Sequence, residues 1–263
     1  MGLSRHREFR CIFGMSQRFP IKVLALLGLG VIWILKVDEF MTNLSYESIL
    51  IQENGDPLVD LSTYPFILEP QYYNRGLSDS ATLFARKSVA DKLIRIQEKL
   101  GEMAFKIWDP WRSREVQNKI YQIIWNDLQA KHQDWDDDKL RFEVAVFATA
   151  ATDPNIIPAH ATGGAVDLTL VDSDGRELSM GTSFDHLGPE AQMFYFDDIE
   201  PIAEISANRR LLRDAMLEED FSYYNDEWWH FDYGNQFWAA LKGYDVAIYG
   251  EIRSTTGWPY KAK

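Results

Sequence analysis

Cysteine is nearly missing from this chain. One residue in 263, Cys11, carries a thiol, so no intramolecular disulfide framework can form and every Cys-rich zinc pattern is excluded. Any metal site must use histidine and carboxylates. Histidine is scarce as well, with five in the whole sequence, so a pair set in unusual surroundings stands out. Long apolar runs are equally rare: the one uninterrupted stretch, residues 23–35 (VLALLGLGVIWIL), is 13 residues long, against the roughly 20 that a spanning helix needs. Internal repeats and low-complexity tracts are absent, which excludes solenoids and disordered linkers of biased composition.

Basic charge is in short supply. The chain holds 27 Lys and Arg against 40 Asp and Glu, for a net charge of −13. Residues 1–36 contain six of the basic residues (Arg5, Arg7, Arg10, Arg18, Lys22, Lys36) and one acid, Glu8. That segment is +5, so the remainder carries −18. A body this acidic repels phosphate backbones and anionic lipid, which excludes nucleic acid as a partner class and leaves a small neutral or zwitterionic substrate compatible.

The order of residues 1–36, basic and then apolar, reads as an export signal or, with no small-x-small cleavage site before Asp38, as an uncleaved membrane anchor through residues 23–35. Upstream positive charge would hold the N-terminus inside and place the globular part in the periplasm or cell envelope. The alternative is a core helix or amphipathic extension in a cytoplasmic protein.

Hydrophobic content of 46%, of which aromatics supply 14% of the chain, is enough for one sizeable core and short for two full domains. Residues 37–80 are rich in turn formers, such as Asn54-Gly55-Asp56-Pro57, and read as a lead-in that wraps the domain. Leu83, Phe84, Val89, Leu93, Ile96 and Leu100 recur at helical spacing and predict a helix over 83–100. A short strand is expected at FKIW (105–108), then a turn, then a second helix over 113–132 whose buried stripe is Val116, Ile120, Ile123, Ile124 and Leu128. EVAVFATA (143–150) and GAVDLTL (164–170), rich in β-branched residues, read as strands. A third helix is expected near Asn208 as its N-cap, and the aromatic run 228–233 as a strand. Irregular alternation of helices and short strands predicts an α+β fold.

Two histidines lie in segments shaped around them. His160 precedes Asp167 by seven positions across Gly163-Gly164, a pair that lets the chain bend and re-enter as a strand so that both side chains face one point. In NDEWWHF (225–231), Glu227 and His230 are three apart, which places them on opposite faces of an ideal strand. The segment must bend or bulge near Trp228 if both are to reach one site. His160, Asp167 and His230 as ligands would leave a fourth tetrahedral position to water, the catalytic arrangement for zinc, with Glu227 as base. Spacing alone leaves this open against ordinary hydrogen-bonded histidines and an edge or turn aspartate. His132 and His186 are not expected to be ligands, Asp134 to Asp138 is expected to be a solvated acidic loop, and Trp228 and Trp229 to wall the site and pack the core.

The pattern H-x6-D with a downstream E-W-W-H resembles the zinc D-Ala-D-Ala peptidases, and within them the VanX-type D-alanyl-D-alanine dipeptidases of family M15. Four blocks carry the resemblance: WDPWRS (108–113), similar to the family's W-D-G-Y-R-P; HATGGAVDLTL (160–170); MGTSFD (180–185); and NRRLLRDAM (208–216) with EWWHF (227–231). They cover roughly residues 105–233 in the family's order. The resemblance implies a hedgehog/DD-peptidase-like domain over 81–263, with a central antiparallel sheet and flanking helices, after the lead-in of 37–80. It implies one Zn²⁺ per chain held by His160, Asp167 and His230, with Glu227 handling the proton. Arg112 enters the active site, where a guanidinium that stays protonated suits a developing oxyanion, and Asp185 lies near the substrate's free amine. Pro158 stands where the family usually has a pocket serine, Pro110, Trp111 and Ser113 replace residues around the arginine, and Tyr72 or Tyr73 are the candidates for the family's substrate tyrosine. The implied activity is hydrolysis of the dipeptide D-alanyl-D-alanine. The alternatives are a zinc D,D-carboxypeptidase acting on peptidoglycan stem peptides, with an open cleft, and a non-catalytic zinc-binding module, against which Glu227 and Arg112 together argue.

Overall fold

A computed structural model of the chain describes residues 46–255. Cys11 and the basic-then-apolar segment of residues 1–36 lie outside the described residues. Among the described residues no helix is long and apolar enough to cross a membrane.

Among the described residues, nine strands fall into three sheets. β1 (Leu50–Ile51) pairs in parallel with β9 (Val246–Ala247), and β2 (Leu58–Asp60) pairs antiparallel with β4 (Phe84–Arg86). The main sheet has the order β3 (Ile67–Leu68), β5 (Ala104–Asp109), β6 (Ala165–Val171), β8 (Glu227–Asp232), β7 (Ser222–Tyr224). Its pairings are antiparallel except at one edge, where β3 runs parallel to β5. The expected antiparallel sheet is therefore mixed, and the parallel edge strand comes from the lead-in. Every residue of β6 is buried, as the central strand of a sheet covered on both faces requires.

Among the described residues seven α-helices flank these sheets: α1 (Gln71–Asn74), α2 (Lys87–Leu100), α3 (Arg114–Lys131), α4 (Asp137–Phe147), α5 (Tyr195–Asp198), α6 (Ala203–Glu218) and α7 (Gln236–Lys242). The buried residues of α2, Val89, Ala90, Leu93 and Ile96, follow the predicted stripe. The helix itself starts later than the periodicity suggested, because residues 84–86 are taken into β4. Ser113 caps α3 by accepting from the Val116 N–H, so the second helix lies where its spacing and cap residue put it.

Two expectations fail for identifiable reasons. EVAVF is not a strand but the second half of α4. Asp136 caps that helix by accepting from the Lys139 N–H at 2.8 Å, Asp137 and Asp138 line its first turn, and Leu140 and Val144 bury a face at i, i+4. Cap, dipole and tertiary burial together outweigh the β preference of two valines. The acids of 134–138 are thus partly a helix start. Asn208 is not an N-cap: α6 begins five residues earlier, with buried Ile205, Arg209, Leu212 and Met216 at helical spacing, and the Asn208 amide donates to the Ser179 carbonyl.

Candidate active site

The local sequence around His160 forces a sharp turn. A short 3₁₀ helix (Ala159–Thr162) follows Pro158, whose fixed φ suits that start, and ends on Gly163 at φ 72 in the left-handed region. At Gly164 an added Cβ would stand 2.2 Å from the Tyr233 carbonyl oxygen. The first glycine supplies the backbone conformation and the second the close approach of two chains. The turn itself is held by Arg86, fully buried in β4, whose Nε donates to the Thr162 carbonyl at 2.8 Å and whose Nη atoms bond Glu53 at 2.8 and 2.9 Å.

Sheet register does the rest. Asp109 of β5 faces Asp167 of β6, and Asp167 faces His230 of β8. Both outer strands are irregular at this row: β5 shifts register between Ile107 and Asp109, and β8 carries three extra residues between Glu227, opposite Tyr224, and Phe231, opposite Tyr223. This is the bulge near Trp228 that the three-residue spacing of Glu227 and His230 demanded. Bulges re-aim side chains beside functional sites, and here Glu227 and His230 come to one side, Oε2 to Nδ1 3.9 Å.

His160, Asp167 and His230 converge. His160 Nε2 lies 3.2 Å from His230 Nδ1 and 3.4 Å from Asp167 Oδ2, and His230 Nδ1 lies 3.0 Å from Asp167 Oδ1. These three residues are buried and could hold one metal ion. With metal–ligand bonds near 2.0–2.1 Å, the edges of a tetrahedral site are about 3.3 Å, which the observed separations match. The outward ring nitrogens fit the same reading. His160 Nδ1 donates to the Pro110 carbonyl at 2.7 Å, with Asp109 Oδ2 at 3.1 Å, and His230 Nε2 donates to Asp232 Oδ2 at 3.1 Å. Outer donors of this kind fix the tautomer so that the inner lone pairs face the ion. Burial works against a charged Asp167, but the two imidazoles hold its carboxyl well below the usual range.

Arg112 is enclosed beside this cluster. Its Nε donates to Gln117 Oε1 at 2.7 Å, and its Nη1 to Asp109 Oδ2 at 2.7 Å and to the Tyr72 hydroxyl at 3.4 Å, while Asp167 Oδ2 is 3.8 Å away. Burial opposes its charge, but Asp109, followed by Tyr72, Asp167 and Asp185, raises the guanidinium above its ordinary value. Burial pushes the Glu227 carboxyl well up, with Asp167 and Asp185 adding to the effect and His230 and Arg112 opposing it.

Of the two tyrosine candidates, Tyr72 is buried and reaches the site, while Tyr73 is exposed. Burial pushes the Tyr72 phenol well up, so it remains a donor, and its hydroxyl lies 3.2 Å from each oxygen of Asp185. Asp185 is also paired with Arg75 at 2.5 Å. Trp108 stacks on Phe184 at 4.9 Å and meets Trp228 edge-on, and Phe184 meets Trp229 edge-on, so both tryptophans are core and wall at once. His186 pairs with Glu190 and His132 stacks on Trp135, both away from the cluster.

Four participants were not singled out from sequence. Asp232 follows His230 by two, the spacing that keeps strand residues on one face, and Asp109 is three before Arg112 at a strand end; either signal could have found them. Arg75 has no comparable signature. Arg209 lies within the NRRLLR block, and its guanidinium donates to the Met180, Glu190 and Gln192 carbonyls and packs over Trp228. It thereby fixes the loop that carries Asp185.

A mixed sheet that brings two histidines and an aspartate into a geometry that could hold a metal ion, with a largely enclosed carboxylate and a guanidinium alongside, gives the described residues a three-ligand centre with acid–base equipment. The model of the Peptidase_M15 family, described as D-Ala-D-Ala dipeptidase, matches residues 72–248, and the chain belongs to that family.

The match begins at Tyr72, inside the lead-in. Curated relatives agree. A D-alanyl-D-alanine dipeptidase of Synechocystis sp. is 32% identical over 102 residues, 36% of this chain and 41% of the relative. One of Escherichia coli is 40% identical over 73 residues, 28% of this chain and 36% of the relative. The matched stretches thus span about two fifths or less of the relatives' length. Among solved structures, a variant of the vancomycin resistance D,D-pentapeptidase VanY in complex with Zn(II) is similar with a TM-score of 0.39 and 15% identity, over 78% of this chain and 96% of that one.

Proposed function

We propose that this chain is a zinc-dependent dipeptidase that hydrolyses D-alanyl-D-alanine. The observation that carries the proposal is the tetrahedral spacing of His160 Nε2, Asp167 and His230 Nδ1, with both outer ring nitrogens pinned, next to Glu227. Zinc at these three ligands would lower the pKa of a water toward ~7 and polarise the scissile carbonyl. Glu227, 3.9 Å from His230 Nδ1, accepts the proton of the attacking water. It would then return that proton to the leaving amine. Arg112 commits three of its five N–H groups to Gln117, Asp109 and Tyr72, which locks the guanidinium plane and leaves two for the developing oxyanion. Asp185, with the Tyr72 hydroxyl on it, takes the ammonium end of the dipeptide. The family's pocket serine has no counterpart in Pro158, so the amino end rests on Asp185 and Tyr72.

The test is an amine-release assay of the zinc-loaded protein on D-Ala-D-Ala, L-Ala-L-Ala and N-acetyl-D-Ala-D-Ala, with Glu227→Ala as control. Cleavage of the free D,D-dipeptide, lost in the variant, is the expected result. A second reading, a D,D-carboxypeptidase acting on peptidoglycan stems, is favoured by one observation: Asp185 is already ion-paired, and a substrate lacking an ammonium would not need it. Preference for the acetylated peptide would establish that reading instead. The proposal includes an envelope location, supported by the order of charge and apolarity in residues 1–36 and tested by fractionation of cells expressing the full chain.

A further inference from the structure

Asp185 is the half-buried carboxylate at the rim of the site, and its surroundings are built rather than incidental. Its backbone sits at φ 59, in the left-handed region that a non-glycine residue adopts at a cost. The loop bearing it is clamped by the three carbonyl bonds of Arg209 and by Trp228 Nε1 donating to Thr182 Oγ1 at 2.8 Å. The Tyr72 hydroxyl, equidistant from its two oxygens, ties it to Arg112. A rigid acid of this kind is a cation subsite.

Its present cation is of the opposite character. Arg75 is the C-cap of the four-residue α1, directly before Gly76 at φ 73. Its side chain is 41% exposed against 28% for Asp185 and rests on the Tyr72 and Phe184 rings with its guanidinium carbon 5.7 and 5.4 Å from their centroids. Arg112, by contrast, is enclosed and held on two sides. Of the two arginines facing this acidic site, one is fixed and one stands at the surface on a flexible stem.

We propose that Arg75 is a displaceable internal counter-ion which occupies the ammonium subsite of the free protein, so that a substrate's amino group must compete with it for Asp185. This rests on the dipeptide reading given above, in which Asp185 receives that amino group. The consequence is a specificity filter. A free dipeptide binds against the strength of the Arg75–Asp185 pair, whereas a peptide acylated on that nitrogen leaves the pair intact and meets no such competition. Arg75 is therefore a specificity-determining residue, and it takes no part in bond making.

The experiment compares the zinc-loaded protein with its Arg75→Gln and Arg75→Lys variants. Steady-state kinetics are measured on D-Ala-D-Ala and N-acetyl-D-Ala-D-Ala, and dissociation constants for both peptides by calorimetry in a Glu227→Gln background. In Arg75→Gln, KM and Kd for the free dipeptide should fall on the order of fivefold, the size of a half-exposed ion pair. The change should lie in KM and not in kcat, values for the acetylated peptide should move less than twofold, and Arg75→Lys should fall between. An unchanged or raised KM for the free dipeptide, or a loss confined to kcat, overturns the proposal. Because binding is read without turnover, a dipeptide that binds and is not cleaved would sink the hydrolytic reading alone, leaving the ratio of dissociation constants to decide the role of Arg75. Failure of all three proteins to bind either peptide overturns the competition.

Discussion

Glu227 and the outer partners of the two histidines make separable contributions. Glu227→Gln keeps the shape and removes the proton acceptor, so turnover should fall by about 10²–10⁴ while zinc stoichiometry, read by metal analysis of the dialysed protein, stays at one per chain. Asp232→Asn leaves the inner donors in place and weakens the hold on His230 Nε2. Its expected effect is a loss of metal affinity of about 10- to 100-fold, measured by competition with a chromophoric chelator, with the wild-type rate recovered at saturating zinc. A rate that stays low at saturation would assign Asp232 a role in the reaction itself.

The turn between the 3₁₀ helix and β6 offers a sharper test at the scale of an element. Gly163→Ala puts a side chain in the left-handed region and brings Cβ to 2.8 Å from a leucine methyl, that of Leu58; a flexible side chain can give way, and the cost should be about 1 kcal/mol or somewhat more. Gly164→Ala meets a backbone carbonyl at 2.2 Å, which cannot yield without parting β6 from the chain after β8. Thermal denaturation should show a small drop in Tm for the first variant and loss of the cooperative transition, or of soluble protein, for the second.

The same stretch shows what a sequence reveals. Period and caps marked α2, α3 and β6 because those signals are local, and the E-x-x-H spacing required a bulge that β8 contains. EVAVF misled because its capping residue and its burial partners lie outside the segment. The row Asp109, Asp167, His230 was beyond reach, since register is fixed by pairing between strands some 60 residues apart in sequence. The ligand set was legible from the His160 and His230 segments, with the resemblance deciding between open readings. Arg75 was not, because a surface arginine acquires meaning only from the acid that folding sets against it.

For the molecule as a whole, the ligands come from the 3₁₀ turn, β6 and β8, so an ion held there cross-links the centre of the main sheet. Removing it by exhaustive chelation should lower Tm by several degrees, and adding zinc back should restore it in a concentration-dependent way. Insensitivity of Tm to chelator and to added zinc would speak against an ion at this centre. Arg86 makes a comparable link in purely organic form, joining Glu53, Asp56, Thr162 and Gly250 through one buried guanidinium stacked on Tyr249. Arg86→Met, similar in length and without the donors, should cost about 2–4 kcal/mol in chemical denaturation.

β1 and β9 lie side by side and parallel, Leu50 against Val246 and Ile51 against Ala247. Stretches close to the two ends of the described chain are therefore neighbours, and their contact is among the longest loop closures the fold must make. Such closures are slow to form, so a nascent chain would gain this seam only after β9 has been synthesised.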